Sequence, residues 1–180
     1  MPGEPLQLAV LIGSTREGRF GPTVADWFIG QVEQRGDLKV DRIDLLGTEI
    51  PGMDFTTRVG LADAFVVVTP EYNRGYPGEL KCAVDSVKEQ WRAKPVGFVS
   101  YGGRSGGLRA VEQLRAVFAE LHTVTVRETV SFHGARGNFH DGGEPRDTEA
   151  ANAAAAGLIA QLAWWADALR EARTSRPYPG

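Results

Sequence analysis

Short apolar runs alternate with amphipathic stretches along the whole chain. Residues 6–12, "LQLAVLI", are apolar at nearly every position and read as a buried strand. Val24, Trp27, Phe28, Gln31 and Val32 then recur at helical spacing, four of the five apolar. That spacing predicts a helix, with Pro22 suited to its first turn and Arg35–Gly36 to its end. "LKVDRIDLL" (38–46) reads as a second strand and "AFVVVTP" (64–70) as a third. The third is apolar enough to be covered on both faces, as central parallel strands are.

The alternation continues. Leu80, Ala83, Val84 and Val87 mark a helix, "PVGFVSY" (95–101) a fourth strand, and Leu108, Val111, Leu114 and Phe118 the next helix. "TVTVRETVSF" (123–132) reads as a fifth strand, and Leu158, Leu162, Trp165 and Leu169 mark a last helix. Strand followed by helix, repeated throughout, predicts an α/β fold with a parallel sheet and helices on both faces. The connection "GTEIPGMDFTTRVGLAD" (47–63) is short for a parallel crossover and leaves room for two or three helical turns. "HGARGNFHDGGEPRD" (133–147) reads as a surface loop and "TSRPYPG" (174–180) as a loose tail. With no repeat and no long linker, the 180 residues are expected to form one domain, 1–180.

Composition narrows the function. Apolar residues make up 42% and charged residues 24%, near globular averages, and the net charge of −3 gives no reason to expect a nucleic-acid partner. The lone cysteine, Cys82, excludes an internal disulfide and a Cys-rich zinc site, and fits a reducing compartment. "MPGEPLQLAVLIG" has no basic segment and too short an apolar stretch for a signal peptide. No apolar run approaches the roughly 20 residues of a membrane span. The expectation is a soluble cytoplasmic protein without a membrane partner.

The loop after the first strand, "GSTREGRFG", carries the first chemistry. It lacks the dinucleotide pattern G-x-G-x-x-G. Gly13 and Gly18 have the spacing of a triphosphate loop, but Arg19 and Phe20 stand where Lys and Ser/Thr belong, so the Mg²⁺-holding hydroxyl is missing. A compact phosphate monoester remains. Ser14 and Thr15 offer hydroxyls, Arg16 and Arg19 offer charge and forked donors, and the following helix offers free N–H groups. The alternative is an ordinary surface turn. The third strand ends in "TPEYNRGYPGELK" and the fourth in "SYGGRSGG", so three polar, Gly-bearing loops fall along the sheet edge where open α/β folds bind ligands.

"GSTREGRFG", "PEYNRGYPGELKCAVD" and "SYGGRSGGLRAVEQLR" resemble the three signature segments of the NAD(P)H-dependent FMN reductase family, which includes quinone, azo-dye and chromate reductases. The resemblance runs from residue 6 to about residue 121. It implies a flavodoxin-like three-layer sandwich with strand order 2-1-3-4-5, non-covalent FMN, NAD(P)H as reductant, and a homodimer or homotetramer. By the same resemblance, Ser14, Thr15, Arg16, Arg19, Phe20 and Gly21 surround the FMN phosphate and ribityl chain. Pro70, Glu71, Tyr72 and Asn73 lie along the ribityl chain and ring, while Ser100, Tyr101, Gly102, Gly103 and Arg104 meet the pyrimidine edge. Cys82 stands where the family usually has Asn, and the short second crossover borders surface that the family uses for its dimer.

Each residue also has a plainer reading. Glu71 suits an ion pair or helix cap better than a proton donor. Asn73 could simply hold a turn, and Arg19 and Arg104 could point to water. Tyr72 and Tyr101, by their loop positions, read as ligand contacts rather than core. His133, His140 and Asp141 have no standard metal-ligand spacing, so no metal is expected. Trp27 reads as core, Trp164 and Trp165 as core and interface packing, and Cys82 as a small core residue. No side chain is assigned a catalytic role.

The function expected is an FMN-dependent NAD(P)H oxidoreductase passing electrons to free flavin, quinone or a similar small acceptor in a ping-pong cycle. Two alternatives stand beside it. One is an electron-transfer or redox-sensing flavoprotein without nicotinamide turnover. The other is a phosphate-ligand domain without flavin.

Overall fold

The computed structural model describes residues 4–180. Its strands are β1 (Leu6–Ile12), β2 (Leu38–Asp44), β3 (Ala64–Pro70), β4 (Pro95–Gly102) and β5 (Val124–His133). They form one five-stranded sheet in the order β2-β1-β3-β4-β5, with every neighbouring pair parallel. The helices are α1 (Gly21–Val32), α2 (Met53–Leu61), α3 (Gly78–Asp85), α4 (Leu108–Glu120) and α5 (Thr148–Ser175). β2 stops two residues short of its apolar run, because Leu45 and Leu46 have already turned into the connection. The short crossover does hold a helix, the nine residues of α2.

Side-chain alternation splits the interior in two. One apolar cluster joins Leu8, Val10 and Ile12 of β1 to α1 and α5; the other joins Ala9 and Leu11 to α2, α3 and α4. β3 is buried at all seven positions because helices cover both of its faces, which is why it reads as a continuous apolar run. Gly97 on β4 lets α5 approach closely, since a Cβ there would lie 2.6 Å from Leu158. On the opposite face Trp91 is fully buried, stacks edge-on against Phe65 and Phe118, and donates to the Val84 carbonyl at 3.0 Å.

β5 is an edge strand with a bulge. Val96 pairs with Thr125 but Phe98 pairs with Thr129, so β5 carries extra residues between the two. Side chains satisfy the freed backbone: Arg115 donates to the Val126 and Arg127 carbonyls, and Gln161 accepts from the Glu128 N–H.

Three expectations from the sequence need correction. Cys82 is exposed, because α3 turns its Leu80, Ala83 and Val84 face inward instead. Trp164 and Trp165 are 65% and 36% exposed rather than core, because the buried stripe of α5 runs through Leu158, Ile159, Leu162, Ala163 and Ala166. The tail is partly tied down: α5 extends through Ser175, Tyr178 packs edge-on against His122, and Arg92 donates to the Gly180 carbonyl. Trp27 is core as expected, edge-on to Phe132.

Candidate functional site

β1 and β3 lie side by side while their connections leave in opposite directions along the sheet, so a crevice opens beyond their carboxyl ends. A cleft of about 530 Å³ occupies that crevice.

The β1–α1 loop builds one wall. The Gly13 N–H donates to the Val68 carbonyl at 2.9 Å, which continues the ladder into the loop. Ser14 is fully buried and its Oγ meets the Tyr101 hydroxyl at 3.1 Å. α1 begins directly beneath this pair. A Cβ on Gly21 would lie 2.5 Å from Ser14 Oγ and 2.9 Å from the Tyr101 hydroxyl, so only glycine permits that start. The cap residue of α1, Phe20, supplies no side-chain acceptor, so the first-turn N–H groups keep donors to offer.

The two arginines of this loop differ. Arg19 grips both carboxylate oxygens of Asp44 at the end of β2, and also donates to the Ser14 carbonyl at 2.7 Å. Hydrogen bonding from Arg19 holds the Asp44 carboxyl below its usual range, and the same bond raises Arg19. Arg19 therefore ties the loop to β2 with its charge neutralised. Arg16 is exposed, lies 5.2 Å over the Tyr72 ring and pairs with no carboxylate among the described residues.

The β3–α3 loop forms the second wall. Tyr72 and Gly75 exchange N–H···O bonds at 2.9 Å across Asn73 and Arg74, both at positive φ. That is a tight two-residue turn, so the structure gives Asn73 the turn role, at an exposed position off the cleft. Burial of the half-buried Tyr72 raises its hydroxyl above the ordinary value. Glu71 accepts from Ser105 Oγ at 2.6 Å, from Arg109 Nε at 2.6 Å and from the Arg109 N–H at 3.3 Å. Burial pushes its carboxyl up, but these hydrogen bonds and the Arg109 charge outweigh it and leave Glu71 below the usual range.

The β4–α4 loop forms the floor. The Ser100 and Ser131 hydroxyls both donate to the Gly106 carbonyl, at 2.8 and 2.9 Å. They hold the chain where Gly106 and Gly107 turn through left-handed φ values of 61° and 89°. His133 Nδ1 donates to the Arg104 carbonyl at 2.8 Å. Burial pushes the Tyr101 hydroxyl up to about 12, so it stays protonated.

Of the residues singled out from the sequence, Arg16, Arg19, Phe20, Pro70, Glu71, Tyr72, Tyr101, Gly102 and Gly103 line the cleft. Ser14, Gly21 and Ser100 are buried off its lining, and Thr15 and the exposed Arg104 lie outside the lining too. The sequence reading missed a third wall, Gly134, Ala135 and Arg136 of the β5–α5 connection. That segment is not a loose loop. Gly134 donates to the Gly103 carbonyl at 2.9 Å, Ala135 and Phe139 are buried, and Phe139 meets Phe20 edge-on. The one available signal was Ala135 and Phe139, apolar residues inside a polar stretch. Among the described residues no cluster of three or more His, Cys, Asp or Glu could hold a metal ion, and no helix is long and apolar enough to cross a membrane.

A parallel sheet of this order with a polar, glycine-lined cleft at its switch point defines a flavodoxin-like fold. Residues 6–137 match the family model of NADPH-dependent FMN reductases, and the chain belongs to that family. It is 36% identical over 121 residues to an NAD(P)H-dependent FMN reductase of Schizosaccharomyces pombe, a match covering 56% of this chain and 60% of that protein's length. It is 30% identical over 158 residues to a quinone reductase of Pseudomonas putida, covering 78% of this chain and 84% of that one. In structure it is similar to the NAD(P)H:acceptor oxidoreductase FerB of Paracoccus denitrificans. The TM-score is 0.70 at 22% identity, over 90% of this chain and 97% of that one, a likeness of fold.

Proposed function

We propose that this protein is an FMN-dependent NAD(P)H oxidoreductase that passes electrons to free flavin, a quinone or a similar small acceptor. The observation that carries the reading is the convergence of four connections on one cleft with a cationic end and a backbone-lined floor. Its 530 Å³ falls within the roughly 300–1,000 Å³ typical of small-molecule sites. Its donors suit a flavin mononucleotide. The unpaired Arg16 and the first-turn N–H groups of α1 suit a phosphate monoester. Gly102 and Gly103 present backbone where a planar heterocycle needs close approach.

When bound, FMN supplies two-electron chemistry between a nicotinamide and the acceptor. The chain holds and orients. Arg16 and the start of α1 would grip the phosphate, and Phe20 and Tyr72 would exclude water from the sides. The backbone donors after β4 would meet the pyrimidine edge and offset negative charge there. Glu71, paired and ionised at neutral pH, orders two loops and moves no proton. The reading carries with it a homodimer or homotetramer and a cytoplasmic setting.

Absorbance titration with FMN, followed by steady-state NADPH oxidation with a quinone, tests the proposal. Stoichiometric FMN binding and FMN-dependent turnover with ping-pong kinetics are expected. Binding without turnover would make the protein an electron carrier, and absence of FMN binding would remove flavin from the site.

A further inference from the structure

Arg136 lies outside the three motif-bearing loops, yet it reaches the phosphate end of the cleft. Its Nη2 donates to the carbonyl of Gly18, at the tip of the β1–α1 loop, and its guanidinium stacks 5.5 Å over the Phe20 ring. The short 3₁₀ turn Ala135–Gly137 holds it there, anchored by Gly134 to Gly103, by Asn138 to the His133 carbonyl and by Arg146 to the Gly137 carbonyl. Arg136 is exposed, but the ring contact and the tether restrict its rotamers before any ligand arrives, and its remaining N–H donors share one plane.

The charge balance around the cleft gives Arg136 its meaning. Three arginines line it, Arg16, Arg19 and Arg136. Arg19 is committed to Asp44. Glu71, the buried carboxylate in the lining, is committed to Arg109. The other carboxylate, Glu17, is exposed and pairs with neither Arg16 nor Arg136. Among the described residues, Arg136 has no carboxylate partner, so the cleft keeps two uncompensated cations flanking the Gly18 tip.

We propose that Arg136 is a specificity-determining residue that makes the cleft select phosphorylated over unphosphorylated flavin. The inference rests on the flavin reading above and adds a residue from the β5–α5 connection to it. A guanidinium in this position gains a charge-assisted hydrogen bond only when the ligand carries an anion at its tail. Riboflavin shares the ring and the sugar chain with FMN but lacks that anion, so the two ligands isolate the contribution.

The test is titration of FMN and of riboflavin, read by quenching of free-flavin fluorescence, into the wild-type protein and Arg136→Ala, Arg136→Gln and Arg136→Lys. The wild type is expected to prefer FMN. Arg136→Ala and Arg136→Gln should weaken FMN roughly tenfold to a hundredfold, the range for one hydrogen bond to a charged group, while riboflavin affinity stays level. Gln keeps a donor for the Gly18 carbonyl without the charge, so it separates the tether from the cation. Arg136→Lys should keep part of the FMN preference.

Equal losses for both flavins would make Arg136 a loop tether and overturn the proposal, as would an unchanged FMN affinity. Equal wild-type affinity for the two flavins would also overturn it while leaving the flavin reading standing. A wild-type protein that binds neither would remove both.

Discussion

The two edges of the sheet spend their charge differently. At the amino edge, Asp63 before β3 accepts from the Gln7 N–H at 3.0 Å and pairs with Arg173 at 3.1 Å and Arg170 at 3.8 Å. Arg173 also donates to the Ala93 carbonyl, and Lys94 before β4 donates to the Val59 and Gly60 carbonyls at the end of α2. These cations are absorbed into joints between β1, α2, β4 and α5. At the carboxyl edge, Arg19 and Arg109 are absorbed in the same way by Asp44 and Glu71. Arg16 and Arg136 are not. Arginines without a carboxylate partner beside a cleft, set against Arg170 and Arg173 sharing Asp63 at the other edge, mark where an anion is expected.

The sharpest way to break this contrast is to remove the acceptor at the amino edge. Asp63→Ala leaves Arg173 half-buried without its carboxylate, while Arg170 keeps Asp167, and strips the Gln7 N–H of its acceptor. It should cost about 2–4 kcal/mol of unfolding free energy, below the range for a fully buried pair because both arginines keep some solvent. Urea denaturation measures the loss, and FMN affinity of the folded variant should be unchanged.

Arg16→Ala is the mirror experiment. It should weaken FMN binding by about 1.5–3 kcal/mol, as for a hydrogen bond to a charged group, and leave stability within about 0.5 kcal/mol. Titration calorimetry and urea denaturation on the same variant read the two quantities. A stability loss with intact FMN binding would reverse the assignment.

The smallest effect is alkaline. Burial pushes Lys94 down to about 8, below its unfolded value, so the unfolded chain binds more protons between about pH 8 and 10. Stability should therefore rise with pH in that window, by about 1 kcal/mol from pH 8 to 9. Above pH 10 the sign reverses. The Tyr101 hydroxyl, pushed up to about 12 by burial, keeps its proton when the unfolded chain has lost it. Urea midpoints across the series check both limbs, and Lys94→Met should flatten the rising one.

Much of this was legible in the sequence, because the signals were local. Continuous apolar runs such as "AFVVVTP" and helical repeats such as Val24–Trp27–Phe28 depend on nearest neighbours and on burial of one stripe or two faces. Glu71 could be read as an ion-pair partner because a carboxylate beside glycine-rich loops needs a donor when buried. Cys82 and Trp165 were misread as core for a related reason. Their spacing fits a helix, but one residue's rotation about the axis decides which face is covered, and the packing of α3 and α5 sets that rotation.

The residues alone determined the α/β alternation, the three glycine-bearing strand ends and the types of donor offered to a phosphate. Only the tertiary structure decided which arginines remain free. Arg19 meets a carboxylate 25 positions away and Arg136 meets a carbonyl 118 positions away. Periodicity reports a residue's relation to its own helix or strand. It carries no information about which distant backbone or carboxylate the sheet brings within 3 Å, and at this cleft that pairing separates Arg19, committed to Asp44, from Arg16 and Arg136, which have no carboxylate partner among the described residues.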